Sequence, residues 1–180
     1  IVGTLPLFAI LPIKDTVESL YYNTVFIGFA LLVTGGLLFA SDRVKRGRKT
    51  EKTATALDAL LVGVGQAIAT CPGISRSGMT ICSGMFRGFD RKFAVRFSFL
   101  MSIPAVLGAN LLSIVDAAKA GEIDVSQLPG YLVGGVTAAV SGYFCIRLLR
   151  MIADKGRFGW FAYYCWAAGL LTLILTFLGK

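Results

Sequence analysis

The stretch Cys71-Pro72-Gly73-Ile74-Ser75-Arg76-Ser77-Gly78-Met79-Thr80 sets an arginine and three hydroxyls in a glycine-flanked turn between two apolar segments. Pro72 removes a backbone donor and disfavours helix in the residue before it, and Gly73 can take the left-handed geometry that ends a helix. The chain therefore breaks one helix here and starts another. A second helix capped by Ser77 or Gly78 would aim its free N–H groups, and the positive end of its dipole, into the space that Arg76 occupies.

What surrounds this turn decides its setting. The chain has 180 residues, of which 56% are hydrophobic and 16% charged, and its mean hydropathy is +0.73. That is too apolar for a water-soluble globule of this size. Residues 24–40, 97–115, 130–146 and 159–178 are nearly free of charge, and each has the length that crosses a hydrocarbon core of about 30 Å as a helix. The expected fold class is all-α, a polytopic membrane helical bundle forming one integral membrane domain over residues 1–180. The first apolar run, 1–13, stops at Lys14 after about half the length of a span. It reads as the tail of a helix that starts ahead of Ile1. A signal-peptide core would need a basic flank and a small-residue cleavage site, and neither is present.

The net charge of +8 comes from eighteen Lys and Arg against ten acidic residues. Fourteen of the eighteen fall in three clusters between apolar stretches: Arg43 to Lys52, Arg87 to Arg96, and Arg147 to Arg157. Basic residues without aromatic interleaving or a soluble domain argue against a nucleic-acid partner. They report topology instead. If all three clusters face the cytoplasm, the chain between the first two must enter the membrane and return to the same side. That is a re-entrant helix-loop-helix hairpin, about 54–89, with arms 54–70 and 80–89 and the quoted turn at its tip. Loops 12–23 and 119–129 carry no positive excess and fall on the outer side, which also places Lys180 outside. Irregular backbone at membrane depth must be buried in protein or line a cavity, so a pocket is expected around the tip.

An arginine near the bilayer centre costs about 2.5–3.5 kcal/mol on insertion scales, so it answers to a ligand, a cavity or a partner. The guanidinium fork of Arg76 matches phosphate oxygens, and Ser75, Ser77 and Thr80 can add single hydrogen bonds. Three blander readings compete: Arg76 pairs with a helix C-terminus or a lipid headgroup, Ser77 only caps, and Thr80 bonds back to a carbonyl. Gln66 sits in an apolar arm, where its amide either braces the hairpin or touches the ligand. Gly63, Gly65 and Gly84 suit close helix approach. Asp58 reads as a solvated charge at the start of the first arm. Cys71, Cys82, Cys145 and Cys165 form no metal-type pair and read as buried apolar groups, and histidine is absent from the chain.

The pattern Gly63-x-x-Gln66-x-x-Ala69-x-x-Pro72-Gly73-x-Ser75-Arg76-Ser77-Gly78-x-Thr80, followed by Arg96-Phe97-Ser98-Phe99-Leu100 and Ile103-Pro104, closely resembles the bacterial undecaprenyl-diphosphate phosphatase family, the bacitracin-resistance proteins. The likeness runs over essentially the whole chain, which would be the C-terminal two-thirds of such a protein. It implies a multi-pass enzyme of the bacterial inner membrane, facing the periplasm or cell exterior. Such an enzyme hydrolyses a polyprenyl diphosphate lipid to recycle the carrier for peptidoglycan. It also implies catalytic roles for Ser75, Arg76 and Thr80, substrate contacts from Ser77, Gly73, Gly78 and Gln66, and a Mg²⁺ or Ca²⁺ ion. The family's ion is held by glutamates, and its other re-entrant hairpin carries a serine and a histidine; none of these maps onto the present chain, so activity of the 180 residues alone is not expected. Membrane lipids are partners of any such protein, and a homodimer remains open. The competing readings are a transporter or flippase for an anionic lipid or solute, a histidine-dependent lipid phosphatase, and a purely structural subunit. The second needs histidines that this chain lacks, and the third leaves the cost of Arg76 unexplained.

Overall fold

The computed structural model describes residues 1–44, 47–121, 127–155 and 159–178. Lys45, Arg46, Glu122, Asp124, Arg157 and Lys180, which entered the topology argument, lie outside the described residues. Among the described residues every regular element is helical. The run Val2–Ile13 is a 3₁₀ helix containing Pro6 and Pro12, both of which withhold the amide that an α-helix needs. Seven α-helices follow: α1 (Lys14–Ser19), α2 (Thr24–Arg43), α3 (Ala56–Ile68), α4 (Arg76–Phe86), α5 (Arg91–Ala120), α6 (Leu128–Lys155) and α7 (Gly159–Leu178).

Helices α2, α5, α6 and α7 are each long and apolar enough to cross a membrane. They contain the four expected stretches, so the protein is a multi-pass membrane helical bundle. Helices α3 and α4 are shorter, 13 and 11 residues, or about 20 and 16 Å at 1.5 Å per residue. Neither reaches across a 30 Å core.

The ends of this helical pair meet. Lys49 N–H donates to the Gly88 carbonyl at 2.9 Å and Asp90 N–H donates to the Lys49 carbonyl at 2.9 Å, so the strand of chain entering α3 is pinned to the strand leaving α4. Arg91, at the start of α5, donates to the Asp42 carbonyl at 3.1 Å, and the Asp42 carboxylate also accepts from the Gly159 amide at the start of α7. The end of α2, both ends of the hairpin, and the starts of α5 and α7 thus gather at one end of the bundle.

Asp58 corrects the reading of a solvated charge. Its side chain is 0% exposed and ion-paired to Lys49 and Arg87. Lys49 Nζ lies 2.8 and 2.9 Å from its two oxygens and Arg87 Nε 2.9 Å from one. It also accepts from the Thr55 amide at 3.1 Å, completing a reciprocal capping box with Thr55 at the start of α3. The Lys49 ammonium foremost, then Thr55 and Arg87, hold the carboxyl well below the usual carboxylate range against the opposing effect of burial. Cationic neighbours from 9 and 29 residues away made burial of this charge affordable.

Small residues set the helix contacts. Gly28 of α2 and Gly169 of α7 let the two backbones approach, a Cβ at Gly169 falling 2.9 Å from the Gly28 carbonyl oxygen. Trp166 Nε1 donates to the Leu32 carbonyl across the same seam at 3.1 Å. The expected roles of three hairpin glycines hold: Gly63 lies against the Gly3 backbone, Gly65 against Ser83, and Gly84 against Phe89. Phe89, Phe93, Val62, Ile81, Met85 and Met101 form the core between the hairpin and α5. Helix α6 is exposed along almost all its length, with Leu132, Val133, Val136 and Phe144 outward, the composition of a lipid-facing surface.

Candidate active site

Cys71, Pro72 and Gly73 close the first arm. Gly73 has φ +85°, in the left-handed region that its lack of a Cβ makes accessible. The Gly73 carbonyl accepts from the Thr34 hydroxyl at 3.1 Å. Thr34 is midway along α2 (Thr24–Arg43), and a Cβ at Gly73 would stand beside Ala30 and Ile27 of the same helix, so the hairpin tip packs against the first half of a span. Helix α2 thereby covers one side of the irregular backbone of the turn.

The second arm begins earlier than its polarity suggested. Helix α4 starts at Arg76, not Thr80, and its cap is Ser75, neither Ser77 nor Gly78. Ser75 is extended, with ψ 116°, and its Oγ accepts from the Gly78 amide at 3.2 Å. Any of the clustered hydroxyl residues satisfied the capping preference in sequence. The position of Gly73 decided between them, because once the chain has turned there only Ile74 and Ser75 remain before the helix. The amides of Arg76 and Ser77 precede the first intrahelical bond, as the leading N–H groups of any helix do.

Arg76 is half-buried in the first turn of α4, and among the described residues it has no acidic partner. Every other ion pair quoted above lies at the far end of the hairpin. Ser75 and Ser77 flank Arg76 in sequence and are exposed. The Ser75 hydroxyl uses a lone pair for capping and keeps its proton for another acceptor. Gly78 is buried, with the Leu38 side chain 3.6 Å from where a Cβ would stand. The turn thus offers a guanidinium and two hydroxyl protons, with the positive end of a helix dipole beside them.

Thr80 and Gln66 are placed differently. Thr80 is 2% exposed, and its hydroxyl lies 2.9 Å from the Arg76 carbonyl and 2.6 Å from Ser98 Oγ of α5. Gln66 is 1% exposed, and neither atom of its amide has a hydrogen-bond partner among the described residues, so no direct bond from this side chain braces the hairpin. Sequence reasoning missed Thr34 and Ser98, two hydroxyls from other helices that hold the tip and the second arm. Helical back-bonding was the only local hint for Thr80, and Ser98 lay within a matching motif without an assigned role. Among the described residues no three His, Cys, Asp or Glu side chains converge as metal ligands would, so the described groups do not fit a Mg²⁺ or Ca²⁺ site.

Four apolar helices of membrane-crossing length around a short helical hairpin, with an arginine among hydroxyls at its tip, define a polytopic membrane helical protein. The chain belongs to the bacitracin resistance protein BacA family, whose model matches residues 1–171. It is 40% identical to an undecaprenyl-diphosphatase of Carboxydothermus hydrogenoformans over 100% of this chain and 70% of that protein. It is 43% identical to one from Methanosphaera stadtmanae over 98% of this chain and 63% of that protein. A third, from Methanothermobacter thermautotrophicus, is 44% identical and covered over 96% of both chains. The chain therefore spans under two-thirds of the second relative's length, 70% of the first and nearly all of the third.

Proposed function

We propose that the intact protein is a membrane phosphatase that hydrolyses undecaprenyl diphosphate to undecaprenyl phosphate and inorganic phosphate, recycling the lipid carrier of peptidoglycan synthesis. The observation that carries the reading is Arg76, a guanidinium without an acidic partner among the described residues, held at the tip of a hairpin that packs against α2. An arginine among membrane-crossing helices is costly unless a ligand or partner shares its site. Family membership and the names of the relatives favour a hydrolase over a transporter.

In this reading Arg76 binds two oxygens of the diphosphate side by side, and the Ser75 and Ser77 hydroxyls donate to others. Water adds to the terminal phosphorus, the bond to the bridging oxygen breaks, and the prenyl phosphate departs as the leaving group. Positive charge and dipoles fixed in advance stabilise the charge that grows on the transferred group. Gly73 and Gly78 keep the backbone close to the headgroup, Gln66 contributes its unpartnered amide, and the prenyl tail lies among helices or in lipid. No metal step is assigned to this chain. The protein is placed in the bacterial inner membrane, with the hairpin tip open to the periplasm or the cell exterior.

Arg76→Lys keeps the charge and loses the fork, so phosphate release by the intact protein should fall by about 100-fold or more. Turnover close to that of the wild type would remove Arg76 from this role. Transport of the lipid without release of phosphate would favour a carrier instead.

A further inference from the structure

We propose that Ser98 is a positioning residue for Arg76, acting through Thr80, and that Thr80 itself is a peg between helices and not a ligand of the diphosphate. The inference rests on the reading of Arg76 as the phosphate-binding group. It follows from counting protons. The Thr80 hydroxyl has three oxygen neighbours: the Arg76 carbonyl at 2.9 Å, the Ser77 carbonyl at 3.2 Å and Ser98 Oγ at 2.6 Å. It owns one proton. Carbonyl oxygens only accept, so that proton goes to the Arg76 carbonyl, with the Ser77 carbonyl as the longer arm of a shared bond. The 2.6 Å contact by itself allows either hydroxyl to donate; with the Thr80 proton on the carbonyls, Ser98 is the donor in this proposal.

The consequence is chemical. A diphosphate presents acceptors and calls for donors, and Thr80 has no proton left to give. Thr80 is also 2% exposed and Ser98 5%, so both hydroxyls are enclosed between α4 and α5. What the pair does instead is run one hydrogen-bond chain from α5 into the first turn of α4, ending on the carbonyls of Arg76 and Ser77, the residues that face the headgroup. A guanidinium reaches far from its helix axis, so a small rotation of α4 displaces it by about 1 Å, and misplacements of that order can cost up to about 100-fold in rate.

The test uses the intact protein, with phosphate release from undecaprenyl diphosphate and thermal unfolding in detergent as readouts. Ser98→Ala removes one small hydroxyl and should leave the unfolding midpoint nearly unchanged while lowering kcat/KM by about 10-fold or more. Thr80→Ser retains the hydroxyl and should stay within about 3-fold of wild type, whereas Thr80→Val should match Ser98→Ala. The double variant should be no worse than either single one, because one chain is broken in each case. In an Arg76→Lys background Ser98→Ala should cost less than about 2-fold, a dependence that core packing would not show. Wild-type kcat/KM in Ser98→Ala, or losses from Ser98→Ala and Thr80→Val that multiply, would overturn the proposal. Should Thr80→Val fail to fold, Ser98→Ala in the two Arg76 backgrounds still decides. A fully active Arg76→Lys would instead sink the phosphate-binding reading on which this one stands.

Discussion

A methyl group added at Gly73 would stand 2.8 Å from the Ala30 side chain and 2.8 Å from the Ile27 carbonyl oxygen, on a backbone already at φ +85°. Strain and overlap act together there, so Gly73→Ala should destabilise the protein by about 1–3 kcal/mol, read as a lowered unfolding midpoint in detergent. Thr34→Val tests the other half of the same contact. It keeps the volume and leaves the Gly73 carbonyl without its donor, for a smaller expected loss of about 1 kcal/mol. The need for glycine was legible from Pro72-Gly73, because helix-stopping chemistry is local. The contact with Thr34 was not, since the partner lies 39 residues away on another helix.

The hairpin as an element depends on its base. Two backbone hydrogen bonds join Lys49 to the 88–90 turn, and Asp58 ties the start of α3 to Lys49 and Arg87. Removing the carboxylate leaves two cations facing one another, so Asp58→Ala should cost about 2–3 kcal/mol, less than a fully buried pair because both cations retain some water. Equilibrium unfolding in a detergent–denaturant series reads the loss. The pH dependence has a definite sign. The carboxyl is depressed in the folded state, so its contribution is present above its unfolded value of 3.8 and is lost as the pH falls below it. Stability should therefore differ little through this group between pH 7 and pH 5, and the wild type should lose more than Asp58→Asn on going to pH 3. The lengths and apolar character of the two arms were readable from the sequence. That Asp58 in the first turn of α3 is buried was not, because periodicity cannot tell a solvated aspartate from one enclosed by cations supplied from elsewhere.

Across the whole molecule, Asp42 gathers the end of α2 and the starts of α5 and α7 at one side of the bundle, leaving the start of α2 at the other. Single cysteines placed in a cysteine-free background should report this with a membrane-impermeant maleimide. Tyr22→Cys, just before α2, should label from the side opposite to Arg48→Cys and Lys92→Cys, which should label together. Labelling of Arg48→Cys and Lys92→Cys from opposite faces would mean that the α3–α4 segment crosses the membrane, and the depth argument for Arg76 would go with it.

Sequence alone settled the apolar class of the protein, the four long apolar helices and the point at which α3 ends, because each follows from quantities carried along the chain: composition, apolar length, and proline beside glycine. Only the tertiary structure decided which serine caps α4, which helix covers the tip, why Asp58 is buried, and which hydroxyl Thr80 meets. Those answers belong to pairs of groups brought together from different helices, and a hydrogen bond is fixed by the position of both partners, of which a sequence shows only the chemistry.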